Sequence, residues 1–207
     1  MPLRKEEDYE AKRQQIIDGA LEVFASLGYE KASNKAIAQA AGIGSPGLIY
    51  HYFQDKEHLY REVLEQRLTV LQLLAHPQEL EGLPPNEALS RLGRAFLQML
   101  DAPQSRSLLR LMFSDAARDP LVAGLFWQTG PVRGLGFLEQ YLANTMQAGQ
   151  LRQVNPTFAA MQFMGPLVMY LLARTVFETS SLATIDREAM LEQHIMLFLE
   201  AMRPTAP

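Results

Sequence analysis

Residues 36–56 read AIAQAAGIGSPGLIYHYFQDK, and two short helices separated by a glycine turn are legible in them. Ile37, Ala38 and Ala41 form the apolar face of the first, and Gly42 closes it after about two turns. Ser33 or Asn34 stands ahead as its cap. Ser45 caps the second helix, with Pro46 at its first position, where a missing N–H costs nothing. That helix runs to about Tyr52, and Asp55 caps the next one. Upstream, from Glu10, the apolar residues Ile16, Ile17, Ala20, Leu21, Phe24 and Leu27 recur at spacings of three and four, an amphipathic helix ended by Gly28.

A support helix followed by two helices of about two turns, joined through glycine, has the spacing of a helix-turn-helix. In that arrangement the second helix enters the major groove of double-stranded DNA. Its start, Ser45, Pro46, Gly47 and Leu48, offers free N–H groups to a phosphate, and Gly47 lets backbone come close. Tyr50, His51 and Tyr52 add a hydroxyl, an imidazole and a second hydroxyl, suited to phosphates or a thymine methyl. Lys35 and Lys56 are the candidate phosphate cations.

The 207-residue chain is 48% hydrophobic and 20% charged, which excludes a disordered tail protein. It has no cysteine, hence no disulfide framework, thiolate nucleophile or cysteine zinc site. The net charge of −4 does not advertise nucleic acid. All five lysines nevertheless lie in the first 56 residues, although residues 1–61 hold nine carboxylates against eight basic groups. Contact with DNA must therefore come from placement, with the acids on another face. The charged start MPLRKEEDYEAKR lacks the apolar run of a secretory signal, so the cytoplasm is the expected compartment. The 21 residues between Arg152 and Arg174 carry no charge, a span long enough for a bilayer. Gln153, Asn155, Pro156, Gln162, Gly165 and Pro166 interrupt it, and a buried helix without a membrane is the expected outcome.

The rest of the chain also reads as helix. A long helix is expected from Lys56 to about Ala75, striped by Leu59, Val63, Leu64, Leu68, Leu71 and Leu74. A loop over 76–85 follows, then helices at about 87–101, 104–117, 119–128, 132–149, 156–178 and 186–202. No segment alternates with period two, so the fold class is all-α. The expected division is a DNA-binding domain at 1–55 and a C-terminal ligand-binding and dimerisation domain at 56–207, with 56–75 as connecting helix.

The helix at 156–178 is apolar on nearly every side and must be covered on every side. With the final helix it suits an intersubunit four-helix bundle, giving a homodimer through Tyr170, Leu171, Leu191, Ile195 and Phe198. Methionines and aromatics gather between Phe96 and Met169. Phe96, Met99, Met112, Phe113, Phe126, Trp127, Met161 and Met164 suit a pocket for a small apolar effector, and most of them equally suit a core. Pro166 removes the hydrogen bond to the Gln162 carbonyl and should kink its helix, adding Gln162 as a polar candidate.

The run Gly28-Tyr29, Ile37-Ala38, Ala41-Gly42, Ser45, Gly47, Ile49-Tyr50-His51-Tyr52-Phe53, Lys56-Glu57 and Leu59 resembles the DNA-binding signature of the tetracycline-repressor (TetR) family over roughly residues 10–60. Beyond it only length, helical content and the Gly149-Gln150-Leu151-Arg152 turn correspond. The resemblance implies a homodimeric, ligand-responsive transcriptional regulator, a repressor released from operator DNA by its effector. Ala32 and Ala36 stand where the family pattern has threonine and often an acid, and the 42–45 stretch is one residue longer than common. Pro46 and Leu48 replace the usual basic and hydroxyl or amide residues, so base readout leans on Gly47, Tyr50 and apolar contact.

An enzyme is not expected. The four histidines, His51, His58, His76 and His194, are scattered, and no phosphate loop or serine elbow is present. His58 and Glu62 share a helix face without an evident third metal ligand. No cofactor is implied. A helical adaptor that binds protein without a ligand response is the alternative, and it leaves residues 45–56 unexplained.

Overall fold

A computed structural model describes residues 2–177 and 184–204, and among these every regular element is helical. The all-α expectation holds. The chain forms two compact units, each drawn from two stretches: Met1–Arg67 with Pro103–Thr129, and Leu68–Ala102 with Gly130–Pro207.

The first unit holds α1 (Pro2–Lys31), α2 (Asn34–Ala40), α3 (Ile49–Tyr52), α4 (Lys56–Arg67), α8 (Pro103–Ala116) and α9 (Pro120–Thr129). Helix α1 begins eight residues before the expected Glu10, because Pro2 suits a first helical position and the charged residues after it are good helix formers. Ile16, Ile17, Ala20 and Phe24 are fully buried on its inner face, against α2, α4 and α8. Phe24, Tyr29 and Tyr60 form an aromatic knot with ring centroids 4.9–6.0 Å apart. Burying a side chain such as Phe24 contributes about 2–3 kcal/mol. At Gly28 the helical path breaks, with φ 79° and ψ 173°. The Tyr29 amide beyond the break donates to Asp115 Oδ2 of α8 at 3.0 Å. A Cβ on residue 28 would stand 2.4 Å from that carboxylate, so both the backbone and the neighbour demand glycine.

The second unit holds α5 (Thr69–Leu74), α6 (Gln78–Glu81), α7 (Pro85–Leu97), α10 (Pro131–Gln147), α11 (Pro156–Thr175) and α12 (Arg187–Ala201). Leu89, Leu138, Leu142, Phe163, Leu167 and Leu191 are its buried centre. Gly93 brings α7 against α12, since a Cβ there would lie 2.6 Å from Leu191 Cδ1. Tyr141 donates its hydroxyl to the Leu83 carbonyl at 2.7 Å, and burial pushes that phenol up to about 12. Beyond positive-φ Gly149, the Arg152 amide donates to the Met202 carbonyl at 2.9 Å, fastening the turn to the end of α12.

Two expectations need correction. The helix expected over 56–75 is two helices, because Leu68 is extended at φ −100° and ψ 106°. Leu68, Val70 and Leu71 are all buried, and a straight helix would turn Val70 about 200° from Leu68. Resetting the register at Leu68, beside the β-branched Thr69 and Val70, buries all three. The break coincides with the boundary between the units, so 56–75 is not one connecting rod. The supposed loop at 76–85 carries the one-turn helix α6. The 156–178 helix is observed to Thr175, and its expected end at 178 lies outside the described residues. Helix α11 is long and apolar enough to cross a bilayer by composition, and 39% of that stretch is buried inside the protein.

Candidate nucleic-acid interface

The Ser33 hydroxyl accepts from the Ala36 amide at 3.2 Å and starts α2. Gly42, at φ 60°, turns the chain, while the Ile43 amide returns to the Ala38 carbonyl at 3.0 Å. Gly19 of α1 leaves room for this turn, because a Cβ there would lie 2.5–2.7 Å from Ala41. Ser45 Oγ then accepts from the Gly47 amide at 3.2 Å, with Pro46 in the first turn. The segment Pro46–Leu48 is a 3-10 turn leading into the single-turn α3. Phe53 is extended, and Asp55 Oδ1 accepts from the His58 amide at 2.7 Å to start α4.

This path sorts the side chains cleanly. Ile37, Ala38, Ala41, Ile43, Ile49 and Phe53 are buried. Lys35, Ser45, Pro46, Gly47 and His51 face solvent, Tyr50 is 62% exposed and Leu48 is half-buried. The outward row is continuous with the capped start of the recognition element, the arrangement that meets a major groove.

Lys56 does not belong to that row. Its Nζ donates to the carbonyls of Tyr29 at 2.9 Å, Ala32 at 3.2 Å and Glu30 at 3.4 Å, and lies 4.4 Å from the Tyr29 ring centre. An ammonium has three donors, so the expected phosphate contact is replaced by a clamp on the end of α1. Burial lowers the Lys56 pKa, with Glu30 opposing it. Tyr52 is also drawn inward. Half-buried, it packs at a 35° tilt against Tyr9 of α1 with ring centres 4.6 Å apart, and His51 stands edge-on to both rings. Tyr9 and Arg13 escaped the sequence reading. Arg13 pairs with Glu62 and lies 5.4 Å from the Phe53 ring centre. Tyr9 precedes the periodic stretch, so no apolar spacing pointed to it.

The ligand and dimer candidates fare differently. Phe96, Met99, Met161, Gln162 and Met164 belong to the second unit, and Met112, Phe113, Phe126 and Trp127 to the first. Phe113 and Phe126 meet edge-to-face at 5.3 Å, and Met99 and Met112 are buried. Trp127, Met161 and Gln162 are exposed, so in the single chain they line no interior. A groove of about 690 Å³ in the second unit, lined by Ser90, Arg94, Glu192, Ile195 and Glu200, uses none of the ligand candidates. At the Pro166 turn it is the Phe163 carbonyl that gains a partner, His194 Nε2 at 2.8 Å. Tyr170, Leu171, Leu191, Ile195 and Phe198 are each at most 7% exposed within their own chain. They belong to the core of their own chain. Helical periodicity identified the inward stripe, and the outward one carries Phe158, Met161 and Met169 on α11 and Met196 and Leu197 on α12, all more than half exposed.

A helix-turn-helix of this geometry within an all-helical two-unit chain defines a DNA-binding regulator. Residues 16–63 match the model of the bacterial regulatory proteins of the tetR family, and residues 87–204 match the C-terminal domain of AefR-like transcriptional repressors. Over 60 residues the chain is 45% identical to the HTH-type transcriptional repressor Rv1474c of Mycobacterium tuberculosis, covering 29% of this chain and 32% of that protein. Over 147 residues it is 32% identical to the HTH-type transcriptional regulator SrpR of Pseudomonas putida, covering 69% of this chain and 64% of SrpR. These matches span about a third and just under two thirds of the two relatives. Among solved structures, the flavonoid-responsive regulator FrrA superposes with a TM-score of 0.66 at 27% identity, over 95% of this chain and all of that one. The chain belongs to the TetR family of transcriptional regulators. Members of this family are regulators, not enzymes.

Proposed function

We propose that the chain is a homodimeric repressor that binds double-stranded operator DNA through the 33–53 surface and leaves it when a small apolar effector binds. The observation that carries this reading is the outward row from Lys35 to His51, set on a buried framework that is hydrogen-bonded to α8. The DNA-reading part then comprises residues 1–55 together with α4, α8 and α9, and it acts in the cytoplasm, where the operator lies. Supporting the homodimer, Phe158, Met161 and Met169 follow each other at helical spacing on α11, with Met196 and Leu197 on α12. An apolar row of this size is a partner surface, and a second copy of the same two helices matches it in length and chemistry. Supporting an aromatic-sized effector are the Phe113–Phe126 pair and buried Met112 on α8 and α9, and the kinship with a flavonoid-responsive regulator. The transmitting element in this reading is α8 and not a 56–75 rod, because Asp115 holds the Tyr29 amide while Lys56 holds the Tyr29 carbonyl. The ligand must favour the released arrangement by its own differential affinity. Gel shift with DNA from upstream of the chain's own gene tests the function. Retardation as a dimer, relieved by flavonoids but not by polar sugars, is the expected result. No retardation at low salt would sink it. The adaptor alternative leaves the 44–51 surface idle, and nothing favours it.

A further inference from the structure

We infer that the recognition element reads its operator through thymine methyl groups packed against the backbone and apolar atoms of residues 44–50, not through hydrogen bonds to guanine or adenine edges. This rests on the reading of the chain as an operator binder and names what the operator must contain.

The first observation is chemical. From Ile43 to Phe53 there is no Arg, Lys, Asn, Gln, Asp or Glu. The side chains that bond guanine or adenine in bidentate fashion are therefore missing from the element that enters the groove. The next cation, Lys56, is committed to three carbonyls of its own chain. Ser45 Oγ already accepts from the Gly47 amide and has a single O–H left to donate, too little for a bidentate contact, and Pro46 has no N–H.

The second observation concerns two glycines that the fold does not require. The positive-φ glycines among the described residues are Gly28, Gly42 and Gly149, so Gly44 and Gly47 sit in backbone conformations open to any residue. A Cβ on Gly44 would meet nothing within 4 Å, and one on Gly47 only Ser45 Oγ at 3.5 Å, an ordinary contact. Both are exposed. Neither conformation nor internal packing asks for glycine, although glycine loses the most backbone freedom on folding. A bare backbone at these positions suits a surface that approaches from outside.

Together, Gly44, Pro46 and Gly47 present a step of exposed backbone, Cα and proline-ring carbons, and the exposed Tyr50 follows in the same element with a hydroxyl able to donate. Thymine alone offers the major groove a methyl group next to an acceptor, O4. The step receives the methyl, and the phenol reaches the O4.

The experiment is selection of binding sites from random duplex DNA with the full-length chain, followed by replacement of each selected thymine by deoxyuridine, which deletes the methyl and keeps O4. Each contacted methyl should be worth about four-fold in affinity. Gly44→Ala and Gly47→Ala should keep the parent melting temperature and circular dichroism yet bind the selected site at least ten-fold more weakly. A guanine-dominated site that tolerates deoxyuridine overturns the inference, as do alanine variants that bind like the parent. If no sequence is enriched, the operator-binding reading itself falls, and the inference with it.

Discussion

Three carbonyl oxygens, those of Tyr29, Glu30 and Ala32, take the protons that the Lys56 ammonium can donate. A cation so placed should act on stability and not on the salt dependence of DNA binding. Lys56→Met is expected to destabilise the chain by about 1–3 kcal/mol while leaving the slope of log affinity against log salt unchanged. Lys35→Ala should do the reverse, keeping stability and lowering the slope by about one unit. Denaturant titration and fluorescence anisotropy at four salt concentrations separate the two, and a Lys56 variant with a reduced slope would return that residue to the phosphate. Buried phenols give a second expectation at this scale. Tyr141 keeps its proton up to about 12 in the folded chain, whereas an unfolded tyrosine releases it near its ordinary value of 10.0. Between those values the unfolded state binds fewer protons, so stability is intact below pH 10 and falls as pH rises to 12. Tyr60 and Tyr29 are shifted in the same direction, chiefly by burial. Chemical denaturation at pH 9, 10 and 11 should show this decline, and Tyr141→Phe should make it shallower.

At the scale of elements, the contact that matters most joins α1 to α8 through Asp115 and the Tyr29 amide. Asp115→Ala leaves that amide without its charged partner and should cost about 1.5–3 kcal/mol. Hydrogen exchange should quicken first at Tyr29 and its neighbours, ahead of the α2–α3 turn. Uniform quickening across the first unit would mean that Asp115 contributes only to global stability. Neither end of this contact was legible beforehand. Gly28-Tyr29 gave the end of a helix, and nothing in the sequence ties it to Asp115, 86 positions away. What local chemistry controls was read correctly. Of Ser33 and Asn34 it is Ser33 that caps, Ser45 and Asp55 cap the helices they precede, and Pro103, Pro120, Pro131 and Pro156 open theirs, whereas Pro85, read as the end of a loop, opens α7. The break at Leu68 was missed because no glycine or proline marks it, and only the burial of three apolar residues on different sides accounts for it. On the surface proposed to meet DNA, the outward placement of Ser45, Pro46, Gly47, Tyr50 and His51 was legible from the motif. Lys56 and Tyr52 were not, since their partners at Tyr29 and Tyr9 are brought close only by folding.

For the whole molecule, the apolar row on α11 and α12 sets the expected state of association. Met161→Arg with Leu197→Arg places charges on the outward stripe and should give a folded monomer in light scattering, with unchanged helicity and weakened operator binding. A dimer that survives both substitutions at micromolar concentration would place the interface elsewhere. Leu171→Arg and Phe198→Arg are different in kind. They put an unpaired charge in the chain's own core and should prevent folding. Helical spacing tells a buried stripe from an exposed one only when the opposite face is polar, and α11 has apolar residues on both.

The first unit takes its residues from both sides of a long interruption, Met1–Arg67 and Pro103–Thr129, and the backbone passes between units at three places. That discontinuity bears on how such regulators exchange parts. A hybrid gene that joins residues 1–55 to a foreign sensor discards α4, α8 and α9, stripping the cover from Phe24, Tyr29 and Ile17 and leaving the Tyr29 amide without Asp115. Successful recombination must carry 103–129 along with the reading head, or find in the recipient a helix with a carboxylate at the matching turn. The modular border of this protein, as a breeder of chimeras meets it, is therefore a pair of cuts and not a single one.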